Sequence, residues 1–354
     1  MKVLVTGGCG FIGSAVIRHA IRKRGHAIVN VDKLTYAATP EALEEASHSA
    51  RYSFEHADIC DADRMRAIFE RHRPQAVMHL AAETHVDRSI DGPADFLMTN
   101  VAGTFTLLEA ARAYFERLGE AERAEFRFLH VSTDEVFGSL GREDDAFAET
   151  SPYRPTSPYS ASKAASDHFA AAWGHTFGLP VITSNCSNNY GPWQFPEKLI
   201  PLMLARARRG ETLPVYGKGH NVRDWLHVDD HADALWLTLD RGRIGARYLI
   251  GGNAEHRNLD VVRWICAILD LRFPNSAPHL RLVRHVGDRP GHDLRYAVDT
   301  RKIQEELGWS PSRSFRTGLE ETIEWYLDHE SWWQTVGARV YGGHRLGFVE
   351  RIAS

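Results

Sequence analysis

Short strand-like runs alternate with helically spaced stretches along the first half of the chain. Lys2 to Val5, Ala27 to Val31, Tyr52 to His56, Ala76 to Leu80 and the apolar run Phe126 to Val131 each have the length of a sheet strand. Ser14 to Arg24 and Asp61 to Arg71 read as helices between them. A longer amphipathic pattern from about Ala94 to Leu118 puts Leu97, Val101, Phe105, Leu108 and Ala111 at helical spacing. Six βα-type repeats from Lys2 to about Asn185 predict an α/β fold, a doubly wound parallel sheet with right-handed crossovers. Ala246 to Ile250, followed by Gly251-Gly252, reads as a strand returning to that sheet. The expected organisation is therefore interleaved: residues 1–186 with about 225–252 form the larger domain, about 187–224 with 253–354 a smaller one, and a cleft separates them.

At 354 residues with 43% hydrophobic content, the chain can bury a substantial core. A formal charge of -4 and the absence of basic runs argue against nucleic acid or an anionic membrane as the main partner. Cys9, Cys60, Cys186 and Cys266 are far apart, without the paired spacing of a zinc site or a disulfide framework, so a reduced, cytoplasmic setting is expected. The N-terminal apolar run is too short for a signal peptide, and no stretch approaches the roughly 18 apolar residues of a membrane span.

Chemistry enters at the strand ends, where parallel α/β sheets bind their ligands. Thr6-Gly7-Gly8-Cys9-Gly10-Phe11-Ile12-Gly13 follows the first strand and opens a helix; Gly7, Gly10 and Gly13 let the backbone turn tightly and approach a pyrophosphate at the helix N-terminus. Asp32 closes the second strand at the distance expected of a ribose-binding acid, so a Rossmann-type dinucleotide site is expected. A carboxylate there accepts from a ribose 2′-hydroxyl and repels a 2′-phosphate, favouring NAD over NADP; neighbouring Lys33 reads as a solvent-facing lysine. The fifth strand ends in Thr133-Asp134-Glu135, a hydroxyl and two carboxylates forming an acid/base cluster, with the acids pointing to opposite sides of an extended segment. After a polar loop, Tyr159 and Lys163 stand four apart at the start of a helix, where a nearby ammonium is expected to lower the phenol's pKa. His227 and His231 are also four apart, but Asp229-Asp230 between them read as a helix N-terminal charge pair, and no metal is expected.

With these residues in place, the chain resembles the extended short-chain dehydrogenase/reductase family over about residues 2 to 310, in its branch of NAD-dependent nucleotide-sugar epimerases and dehydratases. The resemblance rests on Thr6 to Gly13, Val31 to Tyr36, His79 to Ser89, Ser132 to Gly138, Tyr159 to Lys163, Asn185 to Leu202, Asn221 to Trp225 and Asp288 to Asp293. The Asp134-Glu135 pair points to the 4,6-dehydratases, since related epimerases generally lack it. The smaller, interleaved C-terminal part is then a sugar-nucleotide domain. The resemblance implies cofactor contacts from Phe11, Ile12, Asp32, Lys33, Leu34, Thr35, Asp58, Ile59, Leu80, Ala81, Ala82, Thr84, Thr99, Tyr159, Lys163 and Asn189. It implies substrate contacts from His85, Thr133, Asn188, Lys198, Leu199, Pro214, Tyr216, Arg223, Asn258, Arg289 and His292, of which Lys198, Arg223 and Arg289 suit a nucleotide diphosphate.

The implied activity is dehydration of dTDP-glucose to its 4-keto-6-deoxy product, with Thr133, Tyr159 and Lys163 serving oxidation at C4, Glu135 as C5 base and Asp134 as acid to the 6-hydroxyl. Alternatives are a UDP-, CDP- or GDP-linked substrate, or an epimerase or decarboxylase. A homodimer through the helices near Ala94 to Leu118 and Ser160 to Phe177 is implied as well. Phe137 stands where tyrosine is common in the family, and the tail from about Trp332 to Ser354 carries no motif.

Overall fold

The computed structural model describes residues 1–340, with side chains through residue 337; Tyr341 and Arg345 lie outside the described residues. Seven parallel strands form the main sheet. They are β1 (Lys2–Thr6), β2 (Ala27–Asp32), β3 (Tyr52–His56), β4 (Ala76–His79), β5 (Arg127–Thr133), β6 (Val181–Cys186) and a late strand, Arg247–Ile250. Their spatial order is late strand, β6, β5, β4, β1, β2, β3, so the chain reverses its direction of winding between β1 and β4. That reversal opens a crevice at the carboxyl ends of the strands, where such sheets take their ligands.

The inner strands are apolar on both faces because helices cover both, whereas the edge strand β3 is half-buried or exposed except at Glu55. Val3, Val5, Met78 and Leu129 face one core with the helix Val228–Arg241, where the fully buried Trp236 donates its indole N–H to Val16 O at 2.9 Å. Leu4, Val77 and Phe128 face the other core with the helices Ala62–His72, Thr104–Phe115 and Pro158–Phe177. A third core lies beyond the sheet, among the helices Leu199–Arg208, Asn258–Arg272 and Phe315–Asp328. Two small sheets border it. One joins Asn188–Tyr190, Val222–His227 and Glu255–Arg257; the other pairs Leu213–Tyr216 with Val283–Val286.

Three local expectations change. The first helix begins at Phe11 and passes into a π-helical turn over Ala20–Arg24. The long amphipathic pattern is not one helix. It is Pro93–Phe96, a π-helical stretch Leu97–Gly103, and Thr104–Phe115, and its stripe splits between core and solvent: Leu108 and Ala111 are fully buried, whereas Leu97 and Phe105 are exposed. The acid pair is not extended either. Asp134–Phe137 is a single 3-10 turn, started by Thr133, whose Oγ1 accepts the Glu135 N–H at 3.3 Å. At His227, Nδ1 accepts the Asp229 N–H and caps the helix Val228–Arg241, and His231 Nδ1 meets Asn189 Oδ1 at 2.8 Å, so both histidines have structural partners. No helix among the described residues is long and apolar enough to cross a membrane.

Candidate active site

The glycine turn is shaped by what a side chain would hit. Gly7 has φ +71, and a Cβ there would stand 2.7 Å from the Ala81 backbone; a Cβ on Gly13 would stand 2.2 Å from Gly7 O. The loop and the helix N-terminus therefore close directly on backbone, leaving the amide edge to a ligand. At the end of β2, Asp32 Oδ2 accepts the Cys9 N–H at 2.9 Å and Oδ1 the Leu34 N–H at 2.8 Å, which fixes the carboxylate at the pocket wall. Lys33 is not a free solvent lysine: its ammonium lies 3.3 Å from Asp58 Oδ2 and 3.1 Å from Thr99 Oγ1, so its charge is committed to a neighbouring acid. These residues fit a dinucleotide whose adenosine ribose carries a free 2′-hydroxyl.

One continuous pocket runs from this turn to the end of β5. It is lined by Gly7, Gly10, Phe11, Ile12, Gly13, Asp32, Lys33, Thr35, Ile59, Leu80, Ala81, Ala82, Thr84 and Thr99, and further along by Thr133, Asp134, Glu135, Tyr159, Lys163, Asn188, Asn189 and Lys198. Leu34 and Asp58 do not line it; the first has φ 55 and the second is paired with Lys33. The remaining expected substrate residues gather elsewhere. Asp87 collects two of them, accepting from Arg289 Nη1 at 2.8 Å and Tyr216 Oη at 2.9 Å, and His292 packs edge-on against the Tyr216 ring. Pro214 lies two residues before Tyr216 on the same strand, and His85 two residues before Asp87. Arg223 lies over the Tyr296 ring at 4.2 Å and, with Arg289 and Lys198, acts electrostatically on Glu135. Leu199 packs into the third core, and Asn258 heads its helix with a buried Oδ1 that has no partner; neither lines the pocket.

The two acids do not share one environment. Burial pushes Asp134 well above the usual carboxylate range, and the Glu135 and Asp224 charges push it further in the same direction. Burial also raises Glu135, but Arg289, Arg223 and Lys198 pull it back towards the ionised form. Both acids are thus shifted upward, Asp134 well above the usual range, while three cations oppose the shift at Glu135, an asymmetry of the kind that divides acid from base roles. Asp134 Oδ2 and Ser132 Oγ are buried without a partner, as is Asn188 Oδ1, and all three residues line the pocket. Buried polar atoms are nearly always satisfied, so these mark where a polar ligand belongs.

Tyr159 departs from expectation. Burial, then the charges of Glu135 and Cys186, push its phenol well above the ordinary value, with the Thr133 hydroxyl pulling back. The Lys163 ammonium does not reverse this because it is aimed at the backbone, donating to Val131 O at 2.9 Å. The expected lowering of the phenol is therefore corrected: desolvation beside a carboxylate outweighs a cation bound to a carbonyl.

Residues 4–322 match the family model described as GDP-mannose 4,6 dehydratase. The dTDP-glucose 4,6-dehydratase of Escherichia coli is 54% identical over 99% of this chain and 100% of that protein, and that of Neisseria meningitidis is 55% identical over 98% and 99%. The chain belongs to the dTDP-glucose 4,6-dehydratase family. A solved member from Streptomyces venezuelae, with NAD bound, superposes with a TM-score of 0.87 at 42% identity, covering 95% of this chain and 100% of that one. The UDP-glucose 4-epimerase of Thermotoga maritima superposes with a TM-score of 0.82 at 28% identity, covering 93% and 100%. The architecture is thus shared with epimerases.

Within the dTDP-glucose 4,6-dehydratase family's fold, sequence reasoning overlooked three residues of this site. Glu197 lines the pocket and accepts from Arg88 Nε at 3.0 Å and Tyr36 Oη at 3.1 Å. Asp87 is the hub described above, and Tyr296 carries Arg223 on its ring. Asp87 stood inside the His79 to Ser89 stretch, where a carboxylate amid basic residues was a usable signal; Tyr296 offered none.

Proposed function

We propose that the chain dehydrates dTDP-glucose to dTDP-4-keto-6-deoxyglucose, a hydro-lyase reaction in which C4 is oxidised, water leaves across C5 and C6, and C6 is reduced. NAD, held by the glycine turn and Asp32, supplies the store for the electron pair between the first and last steps. Tyr159 takes the proton of the 4-hydroxyl, with Thr133 hydrogen-bonded at the same oxygen and Lys163 providing nearby positive charge. Once C4 is a carbonyl, the C5 hydrogen is acidic, and Glu135 removes it as a proton, returning a proton to C5 when C6 is reduced. Asp134 gives its proton to the departing 6-hydroxyl, so that water leaves in place of hydroxide. Arg223, Arg289 and Lys198 meet the diphosphate by charge-assisted hydrogen bonds.

The observation that carries this reading is the acid pair at the strand end: both acids line the pocket, Asp134 with a buried Oδ2 that has no partner, and Glu135 under the influence of Arg289, Arg223 and Lys198. An enzyme that only oxidised and re-reduced C4 would have no use for a second carboxyl there. Turnover with dTDP-, UDP-, CDP- and GDP-glucose, with products read by mass and NMR, tests it. The dTDP sugar is expected to lose one water and gain a C4 carbonyl; an epimerised product with no loss of water would overturn the assignment. Denaturing the purified protein should release NAD, and release of NADP would overturn the role of Asp32.

The same reading divides the chain into an NAD-binding part, 1–186 with about 225–252, and a sugar-nucleotide part made of the rest. It also makes the molecule a homodimer. Leu97, Met98, Phe105 and Phe177 are 59%, 54%, 43% and 39% exposed on neighbouring helices, an apolar surface suited to a second copy. Four free thiols suit a reducing, cytoplasmic setting.

A further inference from the structure

Behind the pocket, on the helix that carries Tyr159 and Lys163, lies a carboxylate for which the reaction above has no role. Asp167 is buried, one turn beyond Lys163. Three elements supply it with donors: Oδ1 lies 2.9 Å from His130 Nε2 on β5, and Oδ2 accepts from Tyr153 Oη at 2.6 Å and from Asn185 Nδ2 on β6 at 3.1 Å. The same Asn185 amide donates to Thr133 O at 3.0 Å, so Asp167 is two hydrogen bonds from the strand end that holds the reacting residues. It is also the main anion acting on Lys163, whose ammonium is otherwise disfavoured by burial. Resting on the dehydratase reading, we propose that Asp167 is a positioning residue for the C4 oxidation step, the buried counter-charge that keeps Lys163 cationic and the anchor that fixes the Thr133 end of β5.

The other groups around this pair do not duplicate that charge. His79 and His130, on β4 and β5, are held neutral by burial and by Lys163 itself, and the Cys186 thiol on β6 is pushed up by burial. Burial pushes the Tyr159 phenol on the same helix up, and Tyr153 is bound to Asp167 and covered by Arg247, whose guanidinium lies 4.7 Å from its ring. Removing the Asp167 charge takes from Lys163 its main supporting anion, the Cys186 thiol being the other group that acts on it in that direction, whereas the hydrogen bonds can largely survive. An asparagine Oδ1 can accept from Tyr153 and Asn185, and its amide can donate to His130 Nε2 if that ring shifts its proton to Nδ1, an atom that has no partner.

The test is Asp167→Asn, with kcat, KM and the thermal midpoint followed across pH. The expected result is a loss in kcat of about tenfold or more that deepens as pH rises, because Lys163 then gives up its proton at lower pH, with KM within about twofold of the parent enzyme. A loss equal at every pH, a loss confined to KM, or no loss overturns the proposal. Tyr153→Phe provides a second reading and keeps the test decisive if Asp167→Asn does not fold. It strips one donor but leaves the Asp167 charge in place, so the loss in kcat should be under about threefold and equal at every pH; a loss that deepens as pH rises, with the carboxylate still present, overturns the proposal. Failure of the dehydratase reading is separately visible, because the parent enzyme would then form no 4-keto-6-deoxy product from dTDP-glucose.

Discussion

Asp134→Asn separates a proton donor from a structural carboxyl with little change of shape. Asp134 is 1% exposed, its Oδ1 receives the Thr133 hydroxyl at 3.3 Å, and its Oδ2 has no partner. An asparagine keeps the accepting oxygen and places an amide where the orphan oxygen was, so the hydrogen-bond loss is small. The electrostatic sign also favours folding. A carboxyl raised above its unfolded pKa of about 3.9 stabilises the folded state at acid pH, and that contribution is lost as pH rises through the raised value. Above that window the neutral amide is at least as well tolerated as the acid, and the variant should melt no lower than its parent at neutral pH.

What it loses is the transferable proton. General acids contribute roughly 10²- to 10⁴-fold, about 2.7 to 5.4 kcal/mol of barrier. Hydroxide needs that proton to depart, whereas fluoride departs with far less help. Steady-state turnover of dTDP-glucose should therefore fall by that factor, while a 6-deoxy-6-fluoro analogue should lose much less in the same variant. Equal losses for the two substrates would show that Asp134 is structural.

Glu135→Gln should oxidise C4 and stop there, with reduced-nicotinamide absorbance accumulating and solvent deuterium no longer entering C5, at a cost of roughly 10²- to 10⁴-fold in product formation; normal C5 exchange would remove Glu135 from the mechanism. Gly13→Ala places a methyl 2.2 Å from Gly7 O, an overpacking worth about 1–3 kcal/mol. Calorimetry should show a lower melting point and the purified protein should carry less dinucleotide, and a variant unchanged in both would refute the cradle. Leu97→Glu with Phe105→Glu should yield monomers in sedimentation at micromolar concentration, and a monomeric parent would refute the dimer.

The sheet is legible in the sequence because β1, β2, β4 and β5 are buried along nearly their whole length, so their apolar runs need no knowledge of neighbours. The failures came where a distant contact sets local geometry. The Ala94 to Leu118 pattern is periodic, yet it takes a π-helical turn where Asn100 binds the Glu83 backbone through Oδ1 and Nδ2 at 2.8 and 3.0 Å, and where a Cβ on Gly103 would stand 2.7 Å from Ile59. Asp87 meets Tyr216 and Arg289 across 129 and 202 residues of chain, a pairing no local pattern announces. Tyr159 and Lys163 were found by spacing, but their electrostatics were misjudged because spacing says nothing of the carbonyl at Val131 or the depth of burial. Asp167 was invisible for the same reason: a carboxylate one turn beyond a lysine reads as an exposed ion pair until three strand and loop donors are seen around it.

The 3-10 turn at Asp134–Phe137 bears on how one site runs two kinds of chemistry. Thr133, expected to serve oxidation, is also the residue that starts the turn: its Oγ1 accepts the Glu135 N–H and its hydroxyl reaches Asp134 Oδ1. Its carbonyl is held by Asn185, and the Val131 carbonyl two residues earlier is held by Lys163. On the proposed roles, Thr133 of the oxidising set and the two eliminating acids are therefore consecutive residues of one pinned strand end, with Tyr159 and Lys163 reaching it from the helix Pro158–Phe177. On the proposed mechanism, a sugar bound there would meet both acids at the same strand end as Thr133.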